Sequence, residues 1–341
     1  MQLLNKFSRT LGLRTKMFIL FGGLCSVVVI ALVMVRLFGL PLLGDDGALK
    51  RINMRAEQRI ELVAAYKHQM LQHWFSGCQF ELQRLARHKP VLATLRQITT
   101  TDEHKHTAAL QQLTKRLEYF CATSPSFDTT YFAATPSGQI IATSKLLATD
   151  ITFGETFLAR AIAHPESVTV DTYHNSDHSN CGVVFAQTVL DPASSRPLGI
   201  FIATSSMNNF MYDILYNVNG LGATAEVVLV DQDNNPIFHC KHKTKGLRTK
   251  KDWNSRKEGC PLMLAAKGGH GVTYSIDYRG QAVVAAYRYI RFDDRHGWGM
   301  VVKQDREETA QLLLGRIRGS VATGSAGIVL VLLGVFFISR H

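Results

Sequence analysis

Six side chains between positions 131 and 187 have the chemistry of a small-molecule pocket. Side chains alternate along a β-strand, so Asp171 shares a face with Tyr173, and Phe185 shares a face with Gln187 on the next predicted strand. Aromatic rings beside one carboxylate suit a cationic or amine ligand, through cation–π contact and charge pairing. The alternative is an ordinary core in which Asp171 caps a turn. The six candidates are Tyr131, Phe157, Asp171, Tyr173, Phe185 and Gln187.

A metal-like spacing, H-x-x-D-H-x-x-C, runs from His174 through Asp177 and His178 to Cys181. The Asn, Ser and Asp residues around it favour turns, so the alternative is a polar hairpin loop. Spacing within a loop does not fix ligand geometry, and we assign no metal site. The sequence has no C-x-x-C-H, G-x-S-x-G, H-E-x-x-H or Walker motif. We therefore predict no cofactor and no catalytic residue, and we expect that the chain is not an enzyme.

Two apolar segments predict a membrane topology. Met17–Val35 holds nineteen uncharged residues, enough to cross a hydrocarbon core of about 30 Å as a helix. Four bases and no acids precede it, which favours a cytoplasmic N-terminus. Gly319–Ser339 is a second run of twenty-one uncharged residues. A cleaved signal peptide and a buried core helix, respectively, are the alternatives.

The predicted topology is that of a protein that crosses the bilayer twice, and in a bacterium this bilayer would be the inner (plasma) membrane, with the periplasm outside it. It has a cytoplasmic N-terminus (1–16), a transmembrane helix (17–38), an extracytoplasmic, periplasmic domain (45–318) and a second transmembrane helix (319–339). The periplasm is oxidising, which allows disulfides. A bond between Cys240 and Cys260 would close a loop of about twenty residues and contribute about 3 kcal/mol. Cys78 and Cys121 could form a second bridge.

The net charge of +11 is unevenly distributed. Six bases and no acids lie outside 45–318, and inside that range 32 bases face 27 acids. Eight of these bases are concentrated in Lys241–Lys257, a loop that could meet lipid headgroups or a partner, or could simply be solvated. The remaining excess is small, so we expect no nucleic-acid partner.

The periodicity of the domain predicts an α+β fold. Residues 45–117 carry apolar side chains at three- and four-residue steps, which indicates a long stalk helix that Pro90 interrupts. A hairpin, a short helix and three strands follow within 125–206, and the same plan recurs about 95 residues later within 222–305. The predicted architecture is a stalk helix plus two tandem PAS-like antiparallel-sheet subdomains, flanked by two transmembrane helices.

The order of these motifs resembles the double Cache sensor domains of bacterial chemoreceptors, sensor histidine kinases and diguanylate cyclases. The similar stretches include YFAATPSGQIIATS, CGVVFAQTVLD, EVVLVDQDNNPIF and GWGMVVKQ. The resemblance implies a small ligand, often an amino acid, amine or carboxylate, bound mostly in the membrane-distal subdomain (125–206). Many amino-acid-binding members place an Arg and an aromatic residue before the short helix. This chain has Phe153-Gly154-Glu155-Thr156-Phe157 there, and Arg160, one turn later, is added to the candidate ligand residues as a substitute.

Two functions remain open. The first is a small-molecule sensor, the input module of a signal-transduction receptor. Because the sequence stops two residues after the second apolar run, we expect a homodimer or a separate output protein as its partner, besides the lipid bilayer. The second is a membrane-bound binding or accessory subunit that works with another membrane protein. Gly324 and Gly327 would allow close helix packing in that case.

Overall fold

Helices make up the described part of the N-terminal third. The computed structural model describes residues 13–39, 47–98, 103–135, 137–145, 153, 155–174, 181–206, 214–218, 220–232, 237, 259–292 and 296–340. Its first helices are α1 (Leu13–Phe38), α2 (Gly47–Ala86), α3 (Lys89–Ile98) and α4 (Glu103–Thr123).

The long helix α2 is amphipathic and carries a buried stripe along its length. The members of the stripe recur at helical steps and are Ile60, Ala64, Leu71, Phe75, Cys78 and Leu82. The helix ends at Ala86, and Pro90 lies in the first turn of α3, where its missing N–H removes no helical hydrogen bond. The single stalk predicted over 45–117 is therefore too long, because α3 and α4 form a separate pair of packed helices.

The first sheet contains five antiparallel strands and one covering helix. The elements are β1 (Thr129–Ala133), β2 (Ile140–Thr143), α5 (Glu155–Ala163), β3 (Thr169–His174), β4 (Cys181–Leu190) and β5 (Pro197–Ser206). The strand order is β2-β1-β5-β4-β3. The predicted hairpin is confirmed, because Tyr131 of β1 pairs with Thr143 of β2.

The second sheet repeats the plan of the first. Its elements are β6 (Glu226–Val230), α6 (Pro261–Ala266), β7 (Gly271–Ile276), β8 (Ala282–Arg291) and β9 (Gly297–Asp305). The order β6-β9-β8-β7 matches β1-β5-β4-β3, which confirms the predicted repeat and the α+β class. The hairpin strand predicted after β6 falls largely outside the described residues. Within it, the Ile237 N–H donates to the Leu229 carbonyl at 2.9 Å.

Both sheets turn one face toward α2, and aromatic rings join them there. Phe75 lies 6.1 Å from Phe185 of the first sheet, measured between ring centroids. The same ring lies 4.6 Å from Phe292 and 5.3 Å from Trp298, beside and within the second sheet. Such contacts stabilise a core beyond the area they bury. One helix thus supports both sheets through a single continuous core.

Polar contacts fix α2 against the second sheet. Arg288 of β8 forms an ion pair with Glu61, and the Tyr274 hydroxyl of β7 donates to Glu57 at 2.7 Å. The His68 Nε2 lies 2.9 Å from the Tyr289 carbonyl, where the neutral ring donates its proton. These contacts hold the helix in register with the sheet that precedes the C-terminal helix.

The C-terminal helix α7 (Arg306–Arg340) follows β9 without a loop. It packs against α1, and a Cβ placed on Gly324 would lie 2.8 Å from Val29 Cγ1, so the glycine permits a close approach. Within the described ranges, no helix combines the length and the sustained hydropathy that crossing a membrane requires.

His68 should make stability depend on pH. Burial lowers its pKa, the Tyr289 carbonyl opposes this, and the charge of Arg288 adds to it. The folded-state pKa therefore lies below the ordinary value of 6.5, so the unfolded chain binds more protons just below that pH. Stability contributed by neutral His68 is present above 6.5 and falls as the pH falls toward the folded-state pKa.

We expect the urea midpoint of the full-length chain to fall less between about pH 7.5 and about pH 5.5 for His68→Asn than for the unmodified chain. Gln72→Asn, at an exposed position of the same helix, is the control and should keep the original pH slope. Equal slopes for all three chains would remove His68 as a titrating contact.

Candidate functional site

The face of the first sheet that points away from α2 is covered by α5. An apolar cluster forms there, separate from the core beneath the sheet, and we call it the α5-covered face. Its buried members are Tyr131, Ala133, Phe157, Ala161, Tyr173, Val184, Ala186, Ile200 and Ile202. The Phe153 ring stands edge-on to Tyr131, with centroids 5.5 Å apart. Three of the candidate residues therefore share one wall: Tyr131, Phe157 and Tyr173.

Tyr131 places a polar atom inside this apolar cluster. Only 1% of the residue is exposed, and its hydroxyl has no hydrogen-bond partner among the described residues. Burial raises the pKa of Tyr131, while the nearby hydroxyls of Thr129 and Thr204 oppose that shift without reaching hydrogen-bonding geometry. An unpartnered buried hydroxyl costs about 1–3 kcal/mol. A bound molecule with a polar group could recover that cost.

Arg160 and Asp171 form an ion pair at the edge of the same face. Arg160 follows Phe157 by one turn of α5, and Asp171 lies on β3 two residues before Tyr173. Their side chains are 30% and 42% exposed, so the pair is open to solvent. The second carboxylate oxygen of Asp171 accepts the Thr172 N–H at 2.8 Å. Because each charge already has a partner, a lone amine would have to compete with Arg160 for Asp171.

The structure does not bring Phe185 and Gln187 to this wall. Phe185 is opposite Val170 on β3, and both belong to the core beneath α2. Gln187 shares that face, and its amide donates to the carbonyls of Pro165 at 2.6 Å and Thr188 at 2.9 Å. Phe185 and Gln187 therefore lie on the opposite face of the first sheet from Tyr131 and Tyr173, which corrects their inclusion in the same aromatic pocket. Alternation within a strand identifies which residues share a face, but it does not say which set on a neighbouring strand joins them.

The resulting geometry was compared with known proteins. No family model and no curated protein sequence matches the chain. Among solved structures, the periplasmic sensory domain of the Campylobacter jejuni chemoreceptor Tlp1 is similar, with 16% identity and a TM-score of 0.53. The match covers 76% of this chain and 98% of that one.

Two further structures show the same arrangement. A domain of a sensory box/GGDEF family protein from Vibrio parahaemolyticus has 11% identity and a TM-score of 0.54, covering 75% of this chain and 98% of its own. The extracellular domain of rpHK1S-Z16, described as a histidine kinase, has 12% identity and a TM-score of 0.51, covering 76% and 97%. This chain has a double Cache-type fold. The matched region of Tlp1 is a periplasmic sensory domain, and the matched region of rpHK1S-Z16 is an extracellular domain.

In this double Cache-type fold, the second sheet has a face equivalent to the α5-covered face, and α6 covers it. The core there includes Val228, Leu262 and Val301. The remaining cavity measures about 20 Å³, which is room for a single water. Among the described residues, the equivalent position in the second sheet therefore leaves no room for a larger ligand.

Charged residues fill the edge of this second face, and sequence reasoning missed them. The Lys303 ammonium lies 3.1 Å from Glu226 and 2.6 Å from Asp277, with all three side chains buried. The Tyr278 hydroxyl donates to Glu226 at 2.8 Å, and its ring lies 3.7 Å from the Lys303 ammonium. Arg279 extends the network by pairing with Asp277 and with Asp305, the last residue of β9.

The charges in this network satisfy one another. Burial alone would raise the pKa of Asp277, but its bonds to Lys303 and Arg279 outweigh that effect and hold the pKa below its usual range. Burying charges is tolerable only when each is paired in this way. No local pattern in GWGMVVKQD distinguishes Lys303 from an exposed strand residue, which is why the sequence gives no signal for the network.

The cysteine and metal predictions have different outcomes. Cys78 and Cys121 are free thiols, so the bridge between them is wrong. Cys78 lies in the buried stripe of α2, and this burial raises its pKa to about 12. Cys260 is also a free thiol and Cys240 lies outside the described residues, so the disulfide between Cys240 and Cys260 stays a prediction.

Residues 175–180 of the metal-like spacing also lie outside the described residues. Elsewhere in the described ranges, no three metal-ligating side chains cluster.

Two Tyr→Phe substitutions should change stability in opposite directions. Tyr131→Phe removes an unpartnered buried hydroxyl, so the free energy of unfolding of the unliganded chain should rise by about 1 kcal/mol. Tyr278→Phe removes a hydroxyl that donates to a buried carboxylate, so the free energy of unfolding should fall by about 2 kcal/mol. Urea unfolding followed by tryptophan fluorescence measures both. A clear loss of stability in Tyr131→Phe would mean that the hydroxyl has a partner.

Proposed function

We propose that the chain is a membrane-anchored, extracytoplasmic small-molecule sensor, the input module of a bacterial signal-transduction receptor. The ligand site is the α5-covered face of the first sheet. The observation that carries this proposal is the buried Tyr131 hydroxyl without a partner, beside the solvent-open pair of Arg160 and Asp171. The fold shared with sensory domains supports it.

The charges at the edge of the site favour an amine or amino-acid-like ligand. A ligand amine can approach Asp171, and a ligand carboxylate can approach Arg160, so that a molecule bearing both charges replaces the internal ion pair with two new ones. The rings of Tyr131, Phe153 and Tyr173 form the apolar wall behind them.

A signal can leave the site through rigid contacts. The first sheet packs on α2 through Phe185, and Phe75 of α2 packs in turn on Trp298 of the second sheet. β9 continues directly into α7. Glu308, in the first turn of α7, accepts the N–H groups of Ala223 at 2.7 Å and Thr224 at 3.1 Å, in the segment between the two sheets. A ligand would bias this linkage only through different affinities for two of its arrangements.

Ligand binding should raise the unfolding temperature of the full-length chain in nanodiscs of uncharged lipid. At a concentration one hundred times its dissociation constant, a ligand stabilises by about 2.7 kcal/mol, which corresponds to a shift of about 5 °C. The screen uses L-amino acids, γ-aminobutyrate and simple amines. Asp171→Ala should abolish the shift.

Asp191→Ala is the matched control, because Asp191 forms its own ion pair with Arg96 away from the α5-covered face. It should keep the full ligand shift. A shift that survives Asp171→Ala would exclude Asp171 from the site. No shift with any compound of the screen would reject the ligand class.

The two-pass topology is part of the same proposal. Large apolar side chains are exposed on both terminal helices, including Leu20 and Ile30 of α1 and Leu330 and Phe337 of α7. Such exposure is costly in water and favourable in a lipid bilayer. We propose that α1 and α7 lie in the inner membrane, with residues 45–318 in the periplasm, and that a homodimer or a separate output protein receives the signal.

Labelling with a membrane-impermeant maleimide tests this topology in chains whose native cysteines are replaced by serine. Arg196→Cys, at an exposed position between β4 and β5, should react in intact cells. Ser8→Cys should react only after the inner membrane is permeabilised. The reverse pattern would place the sheets in the cytoplasm and overturn the sensor orientation.

An accessory subunit that works with a partner membrane protein is the second candidate. Gly324 is already in contact with α1, whereas a Cβ placed on Gly327 would have no neighbour within 4 Å. Small residues allow helices to approach closely in lipid, so the surface at Gly327 favours a partner helix. Co-purification of a second membrane protein that Gly327→Leu abolishes would support this function.

A further inference from the structure

A groove lies where α2, α3 and α4 meet, on the opposite side of the first sheet from the proposed ligand site. It consists of two adjoining concavities of about 520 and 530 Å³ that share Arg84 and His88. We call it the three-helix groove. Each volume falls in the range of small-molecule sites, about 300–1,000 Å³.

The three-helix groove is lined by cations and by no carboxylate. Its permanent cations are Arg84, Arg87, Lys89, Lys115 and Arg116. No described residue forms an ion pair with any of the five. The Nε of Arg116 is buried and has no hydrogen-bond partner among the described residues. A buried charged donor without an acceptor is costly, so an anion at this point would be stabilised strongly.

Helix dipoles explain the positions of only some of these cations. Arg84 lies in the last turn of α2, where a cation is favourable beside the carbonyl end of the helix. Lys115 and Arg116 lie about two turns before the end of α4, too far for the same effect. Lys115 and Arg116 line the same concavity as Arg84, so an anionic occupant would offset the like charges on its walls.

The remaining lining is apolar and aromatic. Leu85, Val91 and Phe120 are buried and form the floor. Phe80 and Tyr119 are 66% and 72% exposed and form the walls, which is unusual exposure for such large rings. A simple inorganic anion would leave this surface uncovered, whereas an organic anion with an aromatic or aliphatic body would cover it.

We propose that the three-helix groove binds an amphipathic organic anion, a carboxylate, sulfonate or phosphate attached to an apolar body. The acidic group pairs with Arg84, Lys115 and Arg116, and the apolar body lies on Phe120 between Phe80 and Tyr119. The site lies outside the α5-covered face and uses none of its residues. An occupant would bridge α2 to α4, which packs on β1 and β2 of the first sheet.

Equilibrium dialysis with 2-naphthalenesulfonate tests the proposal on the full-length chain in nanodiscs of uncharged lipid, with empty nanodiscs subtracted. Binding should be saturable with one site per chain. The neutral 2-naphthalenesulfonamide should bind at least about tenfold more weakly, because it lacks the charge that the cations pair with.

Arg84→Gln combined with Lys115→Gln should weaken sulfonate binding at least about tenfold. Both positions are exposed, so the substitutions leave the core intact. Arg196→Gln with Arg291→Gln removes two exposed cations elsewhere and should leave the affinity unchanged. Arg116→Lys keeps the charge but removes the buried Nε donor, and should weaken binding by about tenfold.

Asp171→Ala should bind 2-naphthalenesulfonate as the unmodified chain does, which separates this site from the sensor site. Non-saturable binding, equal affinity for the sulfonamide, or unchanged affinity in the Arg84 and Lys115 double variant would each overturn the proposal. A further result would also overturn the proposal: the unmodified chain self-associates but does not bind the sulfonate, and the double variant loses the self-association. A second copy of the chain, and not an organic anion, would then occupy the groove.

Discussion

The structure depends on burying one stripe of α2 against two sheets at once. The aromatic contacts of Phe75 on α2 reach both sheets, and α4 packs on β1 and β2 of the first sheet. Removing this apolar surface from water supplies the main driving force for joining the subdomains. The same burial imposes a constraint, because the strands that pack on α2 commit one face to it and turn the other face toward the side that α5 or α6 covers.

That constraint separates the molecule into surfaces with different uses. The faces beneath α2 are closed, well-packed core, and Phe185 belongs there. The outer face of the first sheet retains a buried hydroxyl without a partner and an exposed ion pair, features that a purely structural surface would not need. The outer face of the second sheet is instead filled by the paired charges of Lys303, Glu226 and Asp277. The two sheets thus share one topology, but the chemistry of their outer faces differs.

The second sheet is also the mechanical link to α7. Asp305 ends β9 and pairs with Arg279, so the charged network reaches the first residue of the exit helix. Glu308 ties the next turn to the segment between the sheets. The second sheet, with the paired charges around Lys303, is suited to transmit a displacement, whereas the first sheet, with the unpartnered Tyr131 hydroxyl, is suited to respond to a ligand. This division of roles is the physical content of the sensor proposal.

Local pattern determined much of the fold. The hairpin of β1 and β2, helix α5, the strand sequence and its repetition all follow from turn residues, alternation and helical periodicity, which are short-range properties of the chain. The same reasoning correctly paired Asp171 with Tyr173, because residues two apart on a strand must share a face. It overextended the stalk, because a proline in a helical pattern can begin a new helix as well as interrupt one.

Only the tertiary structure decided which faces meet. The registry of β4 against β3 and β5 sent Phe185 and Gln187 to the α2 core, and no signal within a strand could determine that. The ion pair of Lys303 with Asp277, and the groove that Arg84 and Lys115 both line, bring together residues far apart in sequence whose local surroundings look ordinary. The sequence pattern determines whether each element is a helix or a strand. Which charges pair, and which side of a sheet a residue faces, depend on contacts between elements.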